Sequence, residues 1–144
     1  MDSGKKRIDS VIPMNFKHEK NRKLVLDYIS FRLNPKSLKL PVKPITIARC
    51  RKIAFSLQKI DNEIDKQFIL LSEKDIVSFF DNLKSGEINK SKRVKVKGDI
   101  PILRTKVPYS STAVRNIWSD FSNFWAFLVE KKIVKDILKY IKKP

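Results

Sequence analysis

Residues 110–136 read SSTAVRNIWSDFSNFWAFLVEKKIVKD, and the spacing inside that stretch decides the fold. Val114, Ile117, Trp118, Phe121, Phe124, Trp125 and Leu128 recur at steps of three and four. That is the period of one apolar stripe wound along an α-helix. The other face carries Thr112, Arg115, Asn116, Ser119 and Asn123. Lys and Glu usually fill a solvated helix face because they are good helix formers. Ser, Thr and Asn compete with the backbone for hydrogen bonds and are poorer ones. Small hydrogen-bonding groups beside one Arg suit a surface that lies close against something polar. The major groove of DNA is one such surface. Phe127 falls off the stripe and is expected to meet the C-terminal tail or a further domain.

Upstream the pattern is again helical. Asn21 is placed to cap a helix running to about Leu33, with Leu24, Tyr28 and Phe31 inward, and Asn34-Pro35 stops it. Thr46 is the N-cap of a second helix reaching about Ile60, its inner stripe Ile47, Cys50, Ile53, Ala54, Leu57 and Ile60. The outer side of that helix holds Arg49, Lys52, Ser56 and Lys59. Asp61 to Phe68 reads as a short acidic connection. Ser72-Glu73-Lys74-Asp75 is a capping box. The helix it opens carries Ile76, Phe79, Phe80 and Leu83 inward and ends at Ser85-Gly86. Between 90 and 108 the period changes to two. Arg93-Val94-Lys95-Val96-Lys97 alternates charge with β-branched residues, Gly98-Asp99 is a turn signal, and Ile100 to Val107 is the returning strand. A basic loop without strands is the alternative for this stretch. The tail from Ile133 to Lys143 is amphipathic. These readings predict an all-α fold, a compact bundle of four to five helices with a small basic β-hairpin before the last long helix. The expected divisions are a basic flexible arm over 1–20 and a helical domain over 21–144, with 90–108 as an insertion.

Charge narrows the function. The chain of 144 residues carries a net charge of +17, and 42% of its residues are hydrophobic, enough for a real core. Residues 1–52 hold 14 Lys/Arg against 4 Asp/Glu; residues 53–88 hold 4 against 7. Residues 89–109 hold 7 against 1, and residues 110–144 hold 7 against 3. An acidic middle with basic flanks implies that folding gathers one basic surface, whose usual partner is a phosphate backbone. The acidic helix after Ser72 is expected to lie away from it. No run is long enough to span a membrane. One cysteine, Cys50, and a start without an apolar signal core point to a reducing cytoplasm, where the protein would associate with DNA.

Catalytic chemistry finds little support. The sole histidine, His18, lies in the basic stretch near the start. There is no Cys-x-x-Cys, no glycine-rich phosphate loop and no His-Glu-x-x-His, so neither a metal nor another cofactor is expected. Cys50 falls on a buried stripe, where cysteine is usually an inert small hydrophobe.

Two stretches carry a resemblance. Thr46-Ile47-Ala48-Arg49 resembles the Thr-Ile opening of the second helix in the core-binding, SAM-like domain of tyrosine recombinases, the phage-type integrases. Val114 through Phe124-Trp125-Ala126-Phe127-Leu128-Val129-Glu130-Lys131 resembles a later helix of that domain, with an aromatic pair before an aromatic, a Leu and a Glu. The resemblance covers roughly Asn21 to Pro144. There are departures: Ala113 stands where the family often has Thr, Cys50 where Tyr is common, Lys132 in place of a Gly, and Ile137-Leu138 in place of Asn-Pro. The resemblance implies a helical domain that grips one face of double-stranded DNA at a particular site. Two of its helices would lie toward the major groove, presenting Thr46, Arg49, Lys52, Ser56 and Lys59 from one and Thr112, Arg115, Asn116, Ser119 and Asn123 from the other. It also implies that strand exchange belongs to a C-terminal catalytic domain, and that this segment alone does not cleave DNA. Other protomers bound to the same DNA are further expected partners.

Phosphate contacts would supply most of the affinity, with Arg115 and Asn116 suited to guanine and adenine edges. Arg93, Lys95 and Lys97 of the hairpin would follow a backbone or enter a minor groove. Two other classes fit the charge: a helical RNA-binding protein, and a bundle that docks an acidic protein. RNA recognition wants exposed aromatic rings, whereas nearly all Phe and Trp here fall on inward stripes.

Overall fold

The computed structural model describes residues 12, 14–35, 43–94 and 103–144. Four helices form an all-α bundle: α1 (Glu19–Leu33), α2 (Ile47–Ile64), α3 (Glu73–Ser85) and α4 (Ser111–Glu130). A two-stranded hairpin, β1 (Asn89–Val94) and β2 (Leu103–Pro108), separates α3 from α4. Its strands are antiparallel, with Lys92 opposite Thr105 and Arg93 opposite Arg104. The first strand lies earlier in the chain than the alternation predicts. The expected turn at Gly98-Asp99, together with Lys95 and Lys97, lies outside the described residues.

The local signals act as their chemistry requires. Thr46 Oγ1 accepts from the Arg49 amide at 3.2 Å and caps α2. Ser72 and Asp75 close a reciprocal capping box at the start of α3. Gly86 ends α3 at φ 84°, a left-handed conformation that costs glycine nothing. Ser110 Oγ accepts from the Ala113 amide and opens α4.

Helix α4 is the central element. Phe121, Phe124 and Leu128 are fully buried, and Val114, Ile117, Trp118 and Trp125 nearly so. Tyr28 and Phe68 meet Phe124 edge to face, each at 5.4 Å between ring centroids. Phe80 meets Trp118 at 5.0 Å. Such pairs each add about 0.5–1.5 kcal/mol beyond area burial. Phe127 corrects the sequence expectation. It is buried in the core, 5.2 Å from the rings of both Tyr28 and Phe31, because α1 packs on the side of α4 that the single stripe leaves out.

Further expectations change. The segment taken as a flexible arm is packed where it is described: Ile12 and Met14 are in the core, and α1 begins at Glu19. Asn21 is a buried tie rather than a cap. Its Nδ2 donates to Asp61 Oδ1 and to the Lys66 carbonyl, and its Oδ1 accepts from the Phe68 amide at 2.7 Å. Asp61 also accepts from the Lys17 amide at 2.6 Å, and α2 takes up the first part of the supposed acidic connection, ending at Ile64. The tail read as amphipathic over 133–143 forms one short helical turn, a 3-10 turn at Leu138–Tyr140.

The end of α4 explains why the tail departs. Lys132 adopts φ 60°; its amide bonds the Val129 carbonyl, and the Ile133 amide bonds the Leu128 carbonyl. These are the paired bonds of a Schellman terminus. Lys132 occupies the left-handed position where glycine is usual. The chain then turns back, and Trp125 Nε1 donates to the Lys135 carbonyl at 2.9 Å.

Candidate nucleic-acid interface

A groove of about 250 Å³ runs between α2 and α4. From α2 it is lined by Arg49, Lys52, Phe55, Ser56 and Lys59. Tyr109, Ala113, Asn116, Ile117 and Asp120 form its other wall. Helical spacing accounts for the first set, since residues 49, 52, 56 and 59 share one side of a 3.6-residue helix. The side opposite carries Cys50, Ile53, Ala54 and Leu57 into the core.

Asp120 organises the floor. It is the sole acid between Ser111 and Val129, and its side chain is only 4% exposed. Arg49 Nη2 donates to Oδ1 at 2.8 Å, and Ser56 Oγ donates to Oδ2 at 2.8 Å. Both carboxylate oxygens are therefore occupied by groups from the neighbouring helix. The arrangement joins α2 to α4 and meets the requirement that a buried charge be paired and hydrogen-bonded. Arg49 nevertheless remains 44% exposed. Its guanidinium, with five N–H donors in a fixed fork, keeps donors for an outside acceptor.

Lys59 closes one end of the groove. Its ammonium lies 3.2 Å from Glu63 and 5.8 Å from the centre of the Tyr109 ring. Tyr109 immediately follows β2, so the hairpin springs from this end of the groove. Lys52 is exposed. Phe55 stands between Lys52 and Lys59 on α2, and it is 61% exposed.

The predicted residues are thus partly gathered. Arg49, Lys52, Ser56, Lys59 and Asn116 line one groove. Thr46 is exposed at the start of α2, with its hydroxyl engaged as the cap. Thr112, Arg115, Ser119 and Asn123 are all exposed, but they continue around α4 away from the groove floor. Arg115 is one residue from Asn116, a rotation of roughly 100° about the helix axis. Arg93 belongs to β1. No residue of the acidic helix α3 lines the groove.

Five lining residues were not predicted for the site: Phe55, Tyr109, Ala113, Ile117 and Asp120. Phe55 carried a usable signal, because an aromatic outside the inward stripe of a basic helix has no core to fill. Asp120 carried less, since its partners lie far away in sequence.

Elsewhere among the described residues, Cys50 is fully buried, and burial raises its thiol pKa above the ordinary range. Tyr28 is likewise raised by burial, although Arg32 Nη1 donates to its hydroxyl at 2.9 Å. His18 Nε2 lies 3.0 Å from Asp65 Oδ1. No group of three or more His, Cys, Asp or Glu among the described residues is clustered to hold a metal ion. No described helix is long and apolar enough to cross a membrane. No known protein family, curated protein or solved structure matches the chain.

Proposed function

We propose that this chain binds double-stranded DNA through the α2–α4 groove, as a non-catalytic module of the tyrosine recombinase core-binding kind. The observation that carries the reading is the convergence of Arg49, Lys52 and Lys59 with Asn116 on one groove. Lysine and arginine there would neutralise phosphates and release counterions, which supplies affinity without sequence preference. Asn116 brings a donor and an acceptor together, the pair that matches the major-groove edge of adenine. Arg49, held in one position by Asp120, would meet a phosphate with little side-chain entropy left to lose. In the same reading, strand cleavage is the work of a partner catalytic domain, and further protomers share the DNA.

Fluorescence anisotropy on labelled duplex DNA tests this. Binding should weaken linearly with the logarithm of salt concentration, and Lys52→Ala should reduce the slope by about 1. Binding that is flat with salt, or a Lys52→Ala protein identical to the parent, would refute the assignment. RNA and acidic-protein partners are tested by competition: single-stranded RNA or polyglutamate that displaces duplex at equal charge would favour those classes instead.

A further inference from the structure

Phe55 is the unexpected element of the groove. A large apolar side chain 61% exposed on a basic helix loses the benefit of burial. It sits three residues after Lys52 and four before Lys59, so all three share one side of α2, and all three line the groove with Asn116. Cations on both sides of an apolar group, with an amide on the facing helix, match the pattern of a major groove. Phosphates flank it, the adenine edge offers N6 and N7, and the thymine C5-methyl is its apolar feature.

We propose that the groove selects A·T base pairs, with Phe55 covering the thymine methyl group and Asn116 pairing the adenine edge. This rests on the duplex-binding reading and specifies which bases that site takes. Phe55 is then a specificity residue, and its exposure in the free protein is the apolar surface that a methyl group covers on binding. Burying one methyl is worth about a fourfold change in affinity. Stacking of an unpaired base on the ring is a different use of the same side chain, and the variants below separate the two.

The test uses the whole chain and matched short duplexes: one rich in A·T, the same duplex with deoxyuridine replacing thymidine, one rich in G·C, and the A·T strand alone. Circular dichroism checks that Phe55→Ser and Phe55→Leu remain folded, which the exposure of the side chain favours. The expected result is at least about fourfold weaker binding to the deoxyuridine duplex than to the thymidine duplex. Phe55→Ser should abolish that difference, and Phe55→Leu should keep most of it. Equal binding of thymidine and deoxyuridine duplexes, with salt-dependent affinity intact, overturns the base assignment and leaves duplex binding standing. Tighter binding to the single strand, lost in both Phe55 variants, overturns it in favour of stacking. Failure to bind any duplex at low salt overturns both readings.

Discussion

Arg49 Nη2 donates to Asp120 Oδ1 across 2.8 Å, tying a half-exposed cation on α2 to a buried carboxylate on α4. The pair lies at the floor of the groove, so it links the packing of two helices to the shape of the proposed binding surface. Ser56 completes it from the same helix as Arg49.

Replacing Asp120 should therefore cost stability. Asp120→Ala leaves Ser56 Oγ and Arg49 Nη2 without their acceptor. Removing one partner of a fully buried ion pair costs roughly 3–5 kcal/mol. The exposure of Arg49 lowers this, because water screens the pair and can replace the carboxylate. The expected loss is about 1–3 kcal/mol, read from the urea midpoint. Asp120→Asn should lose less, since its amide oxygen still accepts. An Asp120→Ala midpoint equal to that of the parent would mean the pair contributes nothing to joining the helices.

The α3 capping box gives a pH dependence with a definite sign. Asp75 is held below the usual carboxylate pKa, first by the Ser72 amide and also by the Lys66 ammonium 3.0 Å away. A depressed folded-state pKa contributes stability that is present above the unfolded value and fades as pH falls through the folded one. The acid limb of the stability curve below about pH 4 should thus become shallower in Asp75→Asn. Urea unfolding between neutral pH and pH 3 measures it, and an unchanged acid limb would contradict the assignment.

Lys132 offers a stabilising change. At φ 60° a lysine bears the left-handed penalty that glycine escapes. The extra backbone freedom of unfolded glycine offsets part of the gain. Lys132→Gly should raise stability by about 0.5–1 kcal/mol, seen as a higher thermal midpoint. A lower midpoint would mean that the lysine side chain holds the tail by contacts that outweigh the backbone penalty.

Much of the fold was legible because it rests on local chemistry. The stripe from Val114 to Leu128, the Thr46 cap, the Ser72 box and the Gly86 terminus each need only a few neighbouring residues. Misreadings arose where distant partners decide. Asn21 looks like a cap until Asp61, Lys66 and Phe68 surround it. Phe127 looks surplus until α1 brings Tyr28 and Phe31 to it. The tail has helical spacing, but the left-handed Lys132 sends the chain back across Trp125. The same holds for the groove. Spacing alone showed which residues of α2 lie together, whereas Asp120 and Tyr109 join them only through packing. Arg115 and Asn116 are adjacent in sequence, yet helix geometry separates them around α4.

The most direct measurement is an NMR titration of the isotope-labelled chain with a short A·T-rich duplex. The largest amide shifts should fall on α2 between Arg49 and Lys59 and on α4 between Thr112 and Asp120, with α3 nearly unmoved. Shifts centred on α3 or on the segment after Lys132, or no shifts at all at low salt, would contradict the proposal that α2 and α4 together form the DNA-binding surface.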